Sequence, residues 1–253
     1  MRGLLGLAVA LPLAVAAAGP ARPSPLKNGS EFQGADVRAL QADDFANPMA
    51  LWVDRGRALW SAPREGRSCA GCHGDAAASM KGVAARYPRF DPALGRVVDL
   101  GERVEACFES SGGAKLPPES DDLLGLTAYV ALQSRGMPLA VRTDGPARAT
   151  WEKGRALYFT RVGQLDMACT SCHDASWGKT LLAEPISQGH PTGWPAYRLE
   201  WQRPGSLQRR LRACFNGVRA EMPAYDSADL VALELYLAWR AQGLPLESPG
   251  VRR

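Results

Sequence analysis

Two copies of one five-residue motif, Cys69-Ala70-Gly71-Cys72-His73 and Cys169-Thr170-Ser171-Cys172-His173, constrain this chain more than any other feature and use four of its six cysteines. Two thiols at this spacing can add across the vinyl groups of a haem, and the adjacent histidine is placed to bind the iron from one side. Each copy therefore predicts a covalently attached c-type haem: Cys69, Cys72, Cys169 and Cys172 are the attachment points, and His73 and His173 are iron ligands. A disulfide framework has no reason to place a histidine after each pair. A zinc or dithiol redox site accounts for one Cys-x-x-Cys, but not for two in an exported chain.

The surroundings of the motifs repeat too. Gly56-Arg57-Ala58-Leu59-Trp60 recurs as Gly154-Arg155-Ala156-Leu157-Tyr158 shortly before each motif. From Tyr87-Pro88 and Trp194-Pro195 onwards the halves keep one gap-free register. It runs through Cys107 and Cys214, then Tyr129 and Tyr236, to Met137-Pro138-Leu139 and Leu244-Pro245-Leu246. The second copy carries extra residues between His173 and Trp194. Each half predicts a helix leading into the motif, a second ending near the remaining cysteine, and a longer third over Asp121 to Arg135 and Ser227 to Ala241. Leu123, Leu126, Val130 and Leu230, Leu233, Leu237 fall on three- and four-residue spacings that give an apolar stripe, and Gly136 and Gly243 suit the helix stops. Useful period-two alternation is missing, so the predicted fold class is all-α: two tandem cytochrome c-like domains over residues 47–143 and 144–253, preceded by an arm over 19–46. The turn Thr143-Asp144-Gly145-Pro146 marks the boundary.

Residues 1–18 read as an export signal, with Arg2 as the positive start, an apolar run from Leu4 to Ala18 and small residues for cleavage, so the expected location is the periplasm. The run is broken by Pro12, and no later stretch approaches a membrane span. A net charge of +4, scattered along the chain, argues against nucleic acid as a partner.

Each predicted iron has one axial position left to fill. His190 lies in the second copy's insertion without a counterpart and reads as a surface-loop residue. Met80, Met137, Met167 and Met222 have no methionine at the repeat-equivalent positions, and a methionine in an apolar segment is more often packing. Cys107 and Cys214 do coincide in the repeat. They could pair in a disulfide between the halves. The preferred reading is His73/Cys107 for one iron and His173/Cys214 for the other. The segments before them differ: Glu102, Arg103 and Glu105 become Arg209, Arg210 and Arg212. On a helix, Arg210 and Cys214 share a face, so a guanidinium would favour the thiolate and could hold an oxyanion beside it. Arg209 and Arg212 fit a solvated helix face.

These residues resemble the SoxA family of dihaem cytochromes, subunits of the SoxAX complex of bacterial thiosulfate oxidation. The likeness rests on the two motifs, the two equivalent cysteines, the run Cys214-Phe215-Asn216-Gly217-Val218-Arg219-Ala220-Glu221, and the closing stretch from Leu230 to Arg240. The resemblance implies an L-cysteine S-thiosulfotransferase with two covalent haems. In such an enzyme the cysteine matching Cys214 is catalytic and carried as a persulfide on the haem iron, and the arginine matching Arg210 binds substrate. It also implies thiosulfate as substrate, a SoxX cytochrome partner that receives electrons, and the carrier protein SoxYZ as acceptor of the thiosulfate group. Two other readings remain open: a thiosulfate dehydrogenase that forms tetrathionate, and a dihaem electron carrier.

Overall fold

The computed structural model describes residues 22–23 and 25–253, so the predicted signal segment lies outside the described residues. After a 3-10 turn at Gly29–Phe32, the first half runs α1 (Ala35–Ala42), α2 (Ala50–Ser61), α3 (Cys69–His73), α4 (Ala76–Ser79), β1 (Arg89–Asp91), β2 (Arg96–Val98), α5 (Leu100–Ser110) and α6 (Asp121–Leu132). The second runs α7 (Arg148–Phe159), α8 (Cys169–His173), β3 (Thr180–Leu181), β4 (Glu184–Pro185), β5 (Ala196–Arg198), β6 (Arg203–Gly205), α9 (Leu207–Gly217), α10 (Ala228–Arg240) and β7 (Gly250–Arg252).

Equivalent helices start for equivalent reasons. The Ser120 hydroxyl caps α6 by accepting from the Leu123 amide, and Ser227 does the same for α10 through Leu230. Asp99 caps α5 and Ser206 caps α9, each accepting from the amide three residues on. Such a cap satisfies one of the free amides of the first turn and contributes about 1 kcal/mol. Gly136 and Gly243 turn the chain away after the long helices have ended, with φ of +76° and +95°, a conformation that costs glycine little.

In each half the helix before the motif crosses the long third helix at a glycine. A Cβ on Gly56 would lie 2.1 Å from the Gly125 carbonyl oxygen, and one on Gly154 would lie 1.9 Å from that of Ala232. The backbones touch at these crossings, so no larger side chain fits. The halves are then joined by the repeat itself. Met137-Pro138-Leu139 pairs antiparallel with its own copy, Leu244-Pro245-Leu246, through Leu139 N to Leu244 O and Leu246 N to Met137 O, both 2.9 Å. One apolar core runs through this seam, uniting Val97, Ala131, Leu139 and Val141 with Leu230, Leu233, Tyr236 and Leu237.

The all-α expectation is corrected by the strands. Three small sheets are present among the described residues: β1 with β2, β3 with β4, and β6-β5-β7. Their strands are two or three residues long, too short for alternation to show in the sequence. β7 lies parallel to β5 and so fastens the C-terminal end beside the second half's hairpin. Helix α10 differs from its predicted stripe as well. Leu230 to Ala238 are buried on every face, because α10 packs on α7 from one side and joins the shared core on the other. The segment before α2 wraps the second half: the Gln41 side chain accepts from the Val251 amide at 3.0 Å and from Arg252 at 2.5 Å. No helix among the described residues is long and apolar enough to cross a membrane.

Candidate haem and sulfur site

Each motif closes a single helical turn just after a tight reversal. The chain doubles back through the bridges Arg64 to Arg67 and Val162 to Met167, with left-handed residues at the turns: Glu65 and Gly66 before α3, Gly163 and Asp166 before α8. The Ser68 hydroxyl then caps α3 through the Gly71 amide at 2.9 Å. In the second half the reversal also grips the far end of α9, because the Gln164 and Leu165 amides donate to the Arg219 and Val218 carbonyls, both at 3.3 Å. A Cβ on Gly163 would lie 2.1 Å from the Val218 oxygen. The loop that introduces the motif thereby fixes the helix that carries Cys214.

His173 is oriented from behind. Its Nδ1 lies 2.8 Å from the Ser187 carbonyl oxygen, and its ring packs on Gly189, whose Cβ would lie 3.0 Å from the ring. A backbone partner at one ring nitrogen leaves the other to bind a metal, the usual arrangement for a ligating histidine. The imidazole lies near Cys214. Burial alone would push the Cys214 thiol up. The nearby His173 and the charges of Arg210 and Arg198 outweigh it and bring the thiol down to about 7. Cys169 goes the other way, pushed up to about 12 by burial and the neighbouring Cys214.

The first half assembles the same parts in a different field. His73 stacks beside Trp60 at 5.7 Å between ring centroids. Burial pushes the half-buried Cys107 thiol up, Arg103 pulls against it, and Cys69 and Cys72 lie close enough to add to the rise. Arg103 is engaged elsewhere, with its Nε 3.3 Å from Asp91 Oδ2. No disulfide is formed among the described residues, so none joins Cys107 to Cys214.

The three arginines of the second site separate cleanly. Arg209 lies 3.9 Å from Glu119 and over the Trp201 ring at 4.3 Å. Arg212 donates to the Pro223 carbonyl and covers Tyr225 at 4.4 Å. Among the described residues no carboxylate pairs with Arg210, which leaves its charge to act on Cys214. His190, expected on the surface, is instead buried. Its Nδ1 lies 2.7 Å from the Lys27 carbonyl oxygen, and burial lowers its pKa to about 4. The preceding arm covers it, which its place in a polar insertion did not reveal. Met80 and Met137 pack against the apolar cores, and Met222 is exposed. Arg198 beside Cys214 was missed altogether. The repeat register, which sets Asp91 against Arg198, could have found it.

The donor set fits haem: adjacent free thiols on one turn, a histidine held by its far nitrogen, and a sulfur near it. The family model described as "SoxA/TsdA, cytochrome c domain" matches residues 55–139. The L-cysteine S-thiosulfotransferase subunit SoxA of Pseudaminobacter salicylatoxidans is 42% identical over 230 residues, covering 89% of this chain and 80% of the relative. The chain belongs to the SoxA family. The SoxA subunit of Rhodovulum sulfidophilum is 41% identical over 90% of this chain and 80% of its own length. The crystal structure of SoxXA from P. pantotrophus contains a chain that superposes with a TM-score of 0.85 at 39% identity, covering 89% of this chain and 86% of that one. As a SoxA protein with a cytochrome c domain, the chain binds covalent c-type haem.

Proposed function

We propose that this chain is the haem-bearing subunit of an L-cysteine S-thiosulfotransferase, which oxidatively joins thiosulfate to a cysteine of the carrier SoxYZ and passes electrons through SoxX to cytochrome c. The names of the SoxA relatives and the SoxXA structure support that reading. The observation that carries it is that His173 and Cys214 come together beside Arg210, which pairs with no carboxylate among the described residues, whereas Arg103 at the equivalent place is paired with Asp91. In this reading the domains are 47–143 and 144–253, following an export signal over 1–18 and an arm over 19–46. Cys69, Cys72, Cys169 and Cys172 attach two haems, with axial ligands His73/Cys107 and His173/Cys214.

The haems would supply one-electron redox centres. The chain's own residues do the rest. Arg210 draws the thiosulfate dianion to the site through paired, charge-assisted hydrogen bonds. His173 would hold the iron, and the arginines favour the anionic, nucleophilic form of the Cys214 sulfur, which can carry an extra sulfur atom as a persulfide. In the net reaction one S–S bond forms between the carrier sulfur and the sulfane sulfur of thiosulfate. The carrier thiol releases its proton, and two electrons leave to the acceptor cytochrome.

Intact-mass analysis of the purified chain tests this assignment, with two haem additions and one extra sulfur on Cys214 expected. Turnover of thiosulfate to tetrathionate without any carrier would replace it with the dehydrogenase reading.

A further inference from the structure

Arg198 enters the site from the β5–β6 hairpin, outside every motif. Asp91 faces Arg96 across β1 and β2, and Arg198 faces Arg203 across β5 and β6. Asp91 and Arg198 thus hold one position in the two copies, as Arg103 and Arg210 do. In the first copy the two positions form an ion pair with a buried carboxylate. In the second they are both guanidinium groups.

Arg198 is 8% exposed. One terminal nitrogen donates to Glu200 Oε2 at 2.5 Å, and the guanidinium lies 5.1 Å from the centre of the Trp201 ring. Its Nε is buried with no hydrogen-bond partner among the described residues. Leaving such a donor unmet is costly, so an acceptor belongs there. Glu200 is 66% exposed and offsets one charge from the solvent side. Burial and the charge of Arg210 both lower the Arg198 pKa. Arg210 precedes Cys214 by one turn of α9, and the repeat sets Arg198 beside Arg210 as Asp91 lies beside Arg103, so two guanidiniums adjoin the Cys214 turn with one donor unmet.

We propose that Arg198 and Arg210 form a two-arginine clamp for the sulfonate end of the thiosulfate dianion beside Cys214, and that the Asp91 to Arg198 exchange between the copies confines this anion site to the second half. The clamp deepens the functional reading above and rests on it. Two planar forks can satisfy several sulfonate oxygens at once and leave the sulfane sulfur pointing to the reactive thiolate.

The test uses the haem-loaded complex with its carrier, and sulfate as an unreactive dianion. Arg198→Gln should raise the KM for thiosulfate roughly 10- to 100-fold with little change in kcat, and weaken inhibition by sulfate in parallel. Arg198→Lys should recover part of the loss. Arg198→Asp rebuilds the first copy's ion pair with Arg210, so it should keep haem content and melting temperature while binding the dianions worst. Calorimetric titration of sulfate gives the same ranking independently of turnover. Conversely, Asp91→Arg should create a second, weaker sulfate site near Cys107. Unchanged KM and sulfate affinity in folded Arg198→Gln and Arg198→Asp would overturn the clamp and leave Arg198 as a support for Trp201 and Glu200. Failure of the wild-type complex to conjugate thiosulfate, with sulfate binding still dependent on Arg198, would instead overturn the reaction assigned above and keep the anion site.

Discussion

Replacing Gly154 by alanine should damage the fold and the haem site together, and the structure gives the size of the effect. The new Cβ would lie 1.9 Å from the Ala232 carbonyl oxygen and 2.9 Å from the Tyr236 Cβ, whereas ordinary contact begins at 3.4 Å. The nearest atoms belong to the α10 backbone and the Tyr236 Cβ is fixed to it, so no rotamer change relieves them and the helices must part by more than 1 Å. Overpacking of this kind costs about 3 kcal/mol, and the better helix propensity of alanine returns about 1 kcal/mol. The net loss of about 2 kcal/mol corresponds to roughly 4–8 °C in Tm for a domain of this size. The disturbance reaches the site, because Tyr158 on α7 and Arg240 on α10 both bond Asp174 Oδ1, at 2.9 Å and 2.6 Å, next to His173. Denaturant titration of the haem-loaded protein, read by circular dichroism and Soret absorbance, measures both effects. Gly217→Ala is the control, since nothing lies within 4 Å of its Cβ position. A loss below about 0.5 kcal/mol, no larger than ordinary surface substitutions give, would refute the reasoning.

Other outcomes follow from the same contacts. Arg210→Ala should raise the KM for thiosulfate by about 10-fold or more at unchanged stability, because it removes a charge-assisted contact and breaks no ion pair; steady-state kinetics and melting curves check this. Arg212→Ala should do the reverse, lowering stability by about 1 kcal/mol through loss of the Pro223 and Tyr225 contacts and leaving KM alone. Burial and the charge of Asp99 raise the Glu102 carboxyl from 4.5 to about 7. The folded form therefore keeps a proton that the unfolded chain has lost, so stability should fall by up to about 3 kcal/mol as pH rises from about 4.5 to about 7. Unfolding titrations of wild type and Glu102→Gln across that window check the sign: the variant should lose the slope.

The long helices were legible because caps are local. Ser120 and Ser227 mark their starts in the sequence as they do in the structure, whereas α6 stops at Leu132, short of the expected Arg135, and Gly136 and Gly243 lie in the turns that follow the helices. The hairpins were not, because three-residue strands carry no period. Nor was the all-round burial of α10, which depends on a seam made by residues remote in the chain. In the site, the nearness of Cys107 to Cys69 and Cys72, and of Cys214 to Cys169 and Cys172, agrees with the repeat. The burial of His190 did not, since Lys27 covers it from the far end of the sequence. Arg198 was hidden for a related reason: its nearness to Cys214 comes from the β5–β6 hairpin folding back on α9, and only alignment of the two copies makes the change from Asp91 visible.

The central claim is that the reaction occurs at Cys214 and not at its twin. Transfer of thiosulfate to the carrier cysteine, followed by mass spectrometry in haem-loaded Cys214→Ala and Cys107→Ala complexes, tests it most directly. The account predicts no conjugate with Cys214→Ala and a readily detected one with Cys107→Ala. Conjugation at the wild-type rate by Cys214→Ala would contradict it.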